Sequence, residues 1–246
     1  MNGNSALARI RVVLCQTSHP GNIGAAARAM KTMGLSRLTL VQPKFFPSAE
    51  AEARASGAGD VLVRAEVCAS LEEALADTVF VAGMSARRRD LSLPFCWARD
   101  GASRLLTAQA EGEVALVFGN ETAGLSNAEL SLCHLPIMIP ANPDYASLNL
   151  AAAVQVMCYE LRLAASAAGE APRGEGMRAT AAEVEALLLH LEQTALATGF
   201  LDPAQPKRLM LRLRRLFARS GLEHEEVSIL RGLLSSVTKP KVRGKT

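Results

Sequence analysis

Two short apolar runs in the first half of the chain place the strongest constraint on its fold. Residues 78–82 (TVFVA) and 114–118 (VALVF) have the length of a β-strand, and apolar and polar side chains do not alternate along them. A strand without alternation is covered on both faces, which is typical of a parallel sheet flanked by helices. The two runs therefore predict a buried parallel sheet.

The surrounding sequence alternates between strand and helix patterns. Further strands are predicted at residues 10–14, 37–42 and 135–139. Helices are predicted from the glycine turn to Met33, closed by Gly34, and over residues 148–165. The sequences Ser70-x-x-Glu73, opening a helix to about Asp77, and Ser126-x-x-Glu129 read as capping boxes. This alternation predicts an α/β domain over residues 1–166, a parallel sheet flanked by helices.

The pattern changes after this domain. Residues 167–179 are rich in Gly, Ala, Pro and charged residues, and we interpret them as a linker. Residues 180–246 show only helical periodicity and form an all-helical C-terminal extension, whose apolar stripes must pack together or on the main domain. Those stripes are Val184, Leu187, Leu188, Leu191 and Ala195; Leu209, Leu213, Leu216 and Phe217; and Ile229, Leu230, Leu233 and Val237.

Composition excludes several classes of protein. Aromatic residues make up 4% of the chain, too few for a base-stacking platform. The five cysteines contain no CxxC pair and the four histidines have no metal-ligand spacing, so we expect no metal site. The N-terminus lacks a signal peptide and no run of about 18 apolar residues exists, which favours a cytoplasmic protein without a membrane span. The net charge of +3 indicates nucleic acid only weakly.

Three segments that each follow a predicted strand carry the candidate chemistry, because open α/β sheets bind ligands at the carboxyl ends of their strands. The first is SHPGNIGAAAR, residues 18–28. It lacks the third glycine and the acidic residue of a dinucleotide fingerprint, and it lacks the lysine of a P-loop. Its Arg28 could equally be a solvated helix residue.

The other two segments are VALVFGNETAGL, residues 114–125, and IMIPANPDYASLNL, residues 137–150. Glu121 stands between two glycines, where a carboxylate could simply cap a turn. Ser147 is an effective N-cap for the helix that follows, and capping alone would account for it. Each segment by itself is weak support for a function.

Together and in this order, the three segments resemble the signature motifs of the SPOUT methyltransferases: Asn-x-Gly-x-x-x-Arg, Phe-Gly-x-Glu-x-x-Gly-Leu and Ser-Leu-Asn. The sequences ARAMKTMGL (27–35), GMSAR (83–87) and LEQT (191–194) resemble a tRNA-modifying subfamily that carries a helical tail. The resemblance implies a trefoil knot at the C-terminal end of the α/β domain, an obligate homodimer, S-adenosyl-L-methionine as methyl donor, and RNA entering across the dimer interface.

Site residues are carried over from this resemblance. Arg28 would orient the ribose 2′-oxygen and its phosphate and stabilise developing negative charge. Glu121 would orient Arg28 or the donor, Asn22 and Asn149 would hold the site by hydrogen bonds, and Ser147 completes the catalytic set. Gly119 would let the backbone approach the donor. The expected donor-binding residues are Met84, Ser85, Ala86, Gly119, Ile139, Ala146, Ser147 and Leu148, although Ile139 and Leu148 could equally be plain core.

Two basic clusters are candidate RNA-binding surfaces, with a solvated helix face as the alternative. They are Arg87, Arg88 and Arg89 beside the donor loop, and Arg208, Arg212, Arg215 and Arg219 in the tail. The cysteines have no base nearby in sequence, so nucleophilic catalysis is not expected.

By resemblance, the expected activity is 2′-O-methylation of the pyrimidine at position 32 of the tRNA anticodon loop. The same chemistry on ribosomal RNA, a non-catalytic RNA-binding protein with this fold, and a nicotinamide dehydrogenase remain as alternatives.

Overall fold

The structure is a computed structural model that describes residues 6–86, 95–167 and 177–238. Its centre is a seven-stranded sheet with the order β3-β2-β1-β6-β4-β7-β5, in which every neighbouring pair is parallel. The strands are β1 (Ile10–Cys15), β2 (Arg37–Val41), β3 (Glu66–Cys68), β4 (Thr78–Met84), β5 (Cys96–Trp97), β6 (Glu113–Phe118) and β7 (Leu135–Met138).

The main-domain helices are α1 (Pro20–Met33), α2 (Ala49–Ala55), α3 (Gly59–Val63), α4 (Leu71–Leu75), α5 (Ala98–Ala108), α6 (Asn127–Ser131) and α7 (Leu150–Ala167). One face of the sheet packs on α1, α5 and α7, and the opposite face packs on α4 and α6. Because both faces are covered, β1 is buried at all six positions and β6 at five of six. The predicted buried parallel sheet is confirmed.

Helix α1 shows how local sequence sets an element. Pro20 stands in its first turn, where the missing N–H costs nothing, and Gly34 ends it in the left-handed conformation at φ 87°. Gly24 has a different role, because a Cβ there would lie 2.0 Å from the carbonyl oxygen of Ala51 on α2. The glycine therefore lets two helices pack closely.

Two helix starts differ from the prediction. Ser126 and Glu129 form a complete capping box, as predicted. At α4 the box is incomplete, because the Glu73 carboxylate accepts from the N–H of Ala69 and not from that of Ser70, and this helix ends at Leu75.

Helix α7 begins at Leu150, because its N-cap is Asn149 and not Ser147. The Asn149 Oδ1 accepts the N–H groups of the second and third residues of the helix at 2.9 and 3.3 Å. An amide oxygen at that position satisfies the same donors that a serine would.

The tail contains α8 (Ala181–Ala197), α9 (Leu209–Ser220) and α10 (His224–Thr238). Thr180 and Glu183 close a capping box at the start of α8. The Ala182 N–H donates to the Ala76 carbonyl of the main domain, and Arg178 forms an ion pair with Glu111. The tail therefore lies against the sheet face that carries α4 and α6.

The predicted apolar stripes of the tail are only partly buried. Leu187 is buried, and Phe217 and Leu230 pack on the same small core. Leu216 is 47% exposed, and Ile229, Leu233 and Val237 are about 60% exposed. The prediction that all three stripes pack within the chain is wrong, because α10 turns one row of apolar side chains away from α8. None of the helices in the described ranges is long and apolar enough to cross a membrane.

Candidate active site

A cavity of about 610 Å³ opens at the carboxyl ends of β1, β4, β6 and β7. Its size falls within the roughly 300–1,000 Å³ of small-molecule sites. It is formed by the loops that follow these strands, including residues of the second and third glycine-rich segments. All of the predicted donor-binding residues line it: Met84, Ser85, Ala86, Gly119, Ile139, Ala146, Ser147 and Leu148.

Glu121 lies at the wall of this cavity and ties its loop to the start of helix α1. One carboxylate oxygen accepts from the N–H and the hydroxyl of Ser18 at 3.0 and 2.9 Å. The other accepts from the N–H of His19 at 3.2 Å and from the Asn22 side chain at 2.9 Å. A carboxylate at this position also meets the positive end of the α1 dipole.

These contacts hold Glu121 in its charged form. Partial burial acts to raise the pKa of its carboxyl. Hydrogen bonds from the Ser18 backbone and from the side chains of Asn22 and Ser18 outweigh burial and lower the pKa to about 2. Glu121 is therefore an ionised anchor near neutral pH and not a proton donor.

Asn149 extends the same network to the third segment. Its side-chain N–H donates to the Asn22 Oδ1 at 3.1 Å, while its own Oδ1 caps α7. Asn22 thus bridges Glu121 and Asn149, each about a hundred residues or more away in the sequence. The structure brings the three segments together through side-chain amides and one carboxylate.

Arg28 stands apart from this network. Its side chain is exposed, does not line the cavity, and makes no hydrogen bond or ion pair within the described part of the chain. Within this chain Glu121 contacts the α1 N-terminus and not Arg28, and its expected role toward the donor stays a prediction. Ser147 lines the cavity beside Leu148 without capping α7.

The backbone of its own loop gives a structural reason for glycine at position 119, in addition to the expected approach to the donor. A Cβ at this position would lie 2.0 Å from the carbonyl carbon of Gly124 and 2.1 Å from the amide nitrogen of Leu125. The loop folds back on itself, and Gly124 takes φ +66° to make that turn. The glycine is required by the loop backbone before any ligand is considered.

Other cavity residues were not singled out from the sequence. Gln16 follows β1, and Asn120 fixes its own loop because its Oδ1 accepts the N–H groups of Thr122 and Ala123. Their positions just after strands were the only signal in the sequence. Polar residues at strand ends are too common to identify a site without the sheet order.

His134 and two of the cysteines have structural surroundings. Burial and the nearby charge of Arg178 lower the pKa of His134 to about 4, and its Nδ1 accepts the Val81 N–H at 3.0 Å, a structural role. Burial raises the pKa of Cys133 and of Cys158 to about 12, so neither is a thiolate nucleophile. No group of three or more His, Cys, Asp or Glu residues suited to a metal ion occurs within the described ranges.

The tail arginines are placed by helix α9. Arg208, Arg212 and Arg219 are exposed and Arg215 is half-buried. Arg214, between them, instead pairs with Glu185 of α8. Arg87, Arg88 and Arg89 lie outside the described residues.

Comparison with known proteins identifies the class of this chain as a methyltransferase. Residues 9–159 match the SpoU rRNA Methylase family, and the chain belongs to that family. Residues 182–246 match the C-terminal domain of the tRNA methyltransferase TrmJ.

Named relatives cover nearly the whole chain. The tRNA (cytidine/uridine/adenosine-2′-O-)-methyltransferase TrmJ of Pseudomonas aeruginosa is 52% identical over 95% of both chains. The tRNA (cytidine/uridine-2′-O-)-methyltransferase TrmJ of Pectobacterium atrosepticum is 48% identical over 95% of this chain and 98% of its own. The crystal structure of TrmJ from Z. mobilis superposes with a TM-score of 0.82 at 33% identity, covering 93% of this chain and 99% of that one.

Proposed function

We propose that this protein transfers a methyl group from S-adenosyl-L-methionine to the ribose 2′-hydroxyl of cytidine or uridine in tRNA, at position 32 of the anticodon loop. The single observation that carries the proposal is the Glu121–Asn22–Asn149 network, which gathers all three signature segments at one cavity. The names of the relatives called TrmJ state 2′-O-methylation of cytidine and uridine in tRNA, and the match to them extends through the helical tail.

The cavity fits the proposed donor. Ile139 and Leu148 offer apolar surface for the adenosine, and the backbone of residues 84–86 and 146–148 offers hydrogen-bonding groups for its polar edge. S-adenosyl-L-methionine supplies a methyl group made electrophilic by a sulfonium. The trefoil knot implied by the family resemblance would account for loops from three strands enclosing one ligand.

The protein's own contribution is alignment of the acceptor. A displacement needs the 2′-oxygen in line with the methyl carbon and sulfur, and holding that geometry supplies much of the rate. Arg28 acts by orienting the oxygen and its phosphate. Because Arg28 is exposed and off the cavity of its own chain, we propose that it acts on RNA bound across a homodimer interface.

A surface suited to that homodimer is present on α7, where Tyr159 and Leu163 are 48% and 41% exposed. Spaced four residues apart, these two side chains share one face of α7, the proposed contact between two copies of the chain. The exposed arginines of α9 would bind tRNA phosphates, and the protein would act in the cytoplasm on its tRNA substrate.

Ribosomal RNA is the second candidate substrate, because the matched family is described by that substrate. The tail favours tRNA, since residues 182–246 match a domain described for a tRNA methyltransferase. The network residues argue against a non-catalytic RNA-binding protein, because binding alone does not require a pocket beside them.

The test is transfer of labelled methyl from S-adenosyl-L-methionine to tRNA transcripts with cytidine or uridine at position 32. The controls are matched tRNAs with a 2′-deoxyribose at position 32 and a ribosomal RNA fragment. We expect label only in the tRNA transcripts that carry the 2′-hydroxyl at position 32. Arg28→Ala should lose about a hundredfold or more in kcat while donor Kd stays within twofold, and Arg28→Lys should recover only part. Label in ribosomal RNA alone, or full activity of Arg28→Ala, would overturn the assignment.

A further inference from the structure

Gln16 has an unusual backbone for its residue type. It directly follows β1 and adopts φ 50°, in the left-handed region that glycine and asparagine occupy at much lower cost. Its N–H donates to the Val41 carbonyl at 2.7 Å, which fixes the turn. A strained residue that the fold holds in place is a reason to ask what its side chain does.

The next strand carries an internal comparison. Gln42 follows β2 and adopts φ 47°, but its side-chain amide donates to the Ala69 carbonyl at 2.6 Å and lies outside the cavity. The Gln16 side chain is exposed, lines the cavity, and makes no hydrogen bond to any other described residue. Gln42 therefore has a structural use for its amide, whereas the amide of Gln16 is left available to a ligand.

The sheet order places Gln16 at the end of the cavity away from the expected donor loops after β4 and β7, with the Gly119 loop after β6 between them. In the order β1-β6-β4-β7, strand β1 is two strands from β4 and three from β7. At about 4.8 Å per strand, Gln16 begins roughly 10 Å from the Met84–Ala86 side of the cavity and farther from Ile139. Ser18, which binds Glu121, lies two residues beyond Gln16. The Gln16 end is thus the side on which an acceptor would meet the network.

We propose that the side-chain amide of Gln16 hydrogen-bonds the base of the acceptor nucleotide, an inference that rests on the proposed function. An amide carries both a carbonyl acceptor and an N–H donor, and rotation exchanges the two. It therefore meets either the amino group of cytidine or the carbonyl of uridine. One flexible amide accounts for the acceptance of both pyrimidines at a single position.

The experiment separates the side chain from the backbone by comparing Gln16→Gly, Gln16→Asn and Gln42→Gly. Glycine relieves the positive φ and removes the amide, so Gln16→Gly should melt no lower than wild type. Its kcat/KM should fall about tenfold for tRNA with cytidine or with uridine at position 32, while donor Kd stays within twofold. Gln16→Asn, which keeps an amide and tolerates this backbone, should recover part of the loss.

Gln42→Gly is the matched control and should keep kcat/KM within twofold of wild type. Full tRNA methylation by Gln16→Gly would overturn the inference. A loss of donor affinity in Gln16→Gly would also overturn the inference, because it would show that the Gln16 side chain contacts S-adenosyl-L-methionine and not the acceptor base. An inactive wild-type protein would instead reject the proposed function, so the two failures are distinguishable.

Discussion

Asn22 and Glu121 are 99 positions apart in the sequence, yet the Asn22 Nδ2 lies 2.9 Å from the Glu121 Oε1. The same asparagine accepts a hydrogen bond from Asn149 through its other side-chain atom. One side chain in the first turn of α1 therefore uses both ends of its amide to join loops after β6 and β7. This short chain of hydrogen bonds joins three segments that are distant in the sequence, so its members are informative sites for experiments.

The ionised state of Glu121 predicts a pH-dependent stability. Its pKa is about 2 in the folded protein against an ordinary value of 4.5, so it stabilises the fold above about pH 4.5 and this contribution is lost as pH falls towards 2. At about 1.4 kcal/mol per pKa unit the shift corresponds to about 3.5 kcal/mol, which solvent screening of this partly exposed carboxylate reduces to roughly 2–3 kcal/mol at neutral pH. Glu121→Gln should be destabilised by about that amount at pH 7 in denaturant unfolding.

The difference between Glu121→Gln and wild type should shrink between pH 4.5 and 2.5, because wild type then protonates as well. Glu52→Gln, at an exposed position on α2, is the control and should follow the wild-type pH profile. A gap between Glu121→Gln and wild type that stays constant down to pH 2.5 would contradict the role assigned to the carboxylate.

The cap of α7 predicts different effects for neighbouring substitutions. Asn149→Ala removes the side chain that satisfies two helix N–H groups and should cost about 1 kcal/mol of unfolding free energy. Ser147→Ala should change stability by less than about 0.5 kcal/mol, because Ser147 does not cap the helix. Thermal unfolding of the two variants measures this, and equal losses would show that Ser147 shares the capping.

Asn149→Asp separates capping from the network. Aspartate keeps an oxygen for the helix N–H groups but has no side-chain N–H for Asn22. The variant should retain most of the helix stability while methyl transfer falls about tenfold or more. If activity and stability instead change together, the bond from Asn149 to Asn22 has no separate role.

The loop geometry predicts that Gly119→Ala is severely destabilising. The added Cβ would meet backbone atoms of the same loop at 2.0–2.1 Å, and backbone cannot rotate away as a side chain can. We expect a loss of at least about 3 kcal/mol in unfolding free energy. Gly59→Ala, in the first turn of α3 with nothing near its Cβ, is the control and should stay within about 0.5 kcal/mol. Similar unfolding curves for both variants would contradict the close approach.

The exposed arginines of α9 predict salt-dependent tRNA binding. Arg212→Ala combined with Arg219→Ala should weaken tRNA binding. The slope of log affinity against log salt should fall by roughly 0.7–0.9 for each phosphate that the double variant no longer neutralises. Arg64→Ala, at the C-terminal end of α3, where Arg64 pairs with Asp60, is a control that removes a surface cation elsewhere. Filter binding at several salt concentrations measures the slopes. An unchanged slope in the double variant would show that these α9 arginines are solvated and do not contact tRNA phosphates.

Several features could be predicted because their causes are local. The apolar runs at β4 and β6 identify strands covered on both faces, and Gly34 and Ser126 mark helix ends through interactions within a few residues. The donor-loop residues also line one cavity, because the family motifs follow strands whose carboxyl ends share one edge. Short elements such as β3 and β5 were not predicted, since two or three residues carry too little periodicity.

By itself, the sequence determined five of the seven described strands, the helical tail and the segments that could carry chemistry. Each of these depends on residue spacing along the chain. Tertiary structure alone decided that Glu121 anchors α1 and that Asn149, not Ser147, caps α7. It also decided that the loop backbone requires glycine at position 119 and that Ile229 and Leu233 face outward. The physical reason is that these outcomes depend on contacts between residues that are distant in the sequence. Sheet order and helix packing determine those contacts, and neither is encoded within one stretch of neighbouring residues.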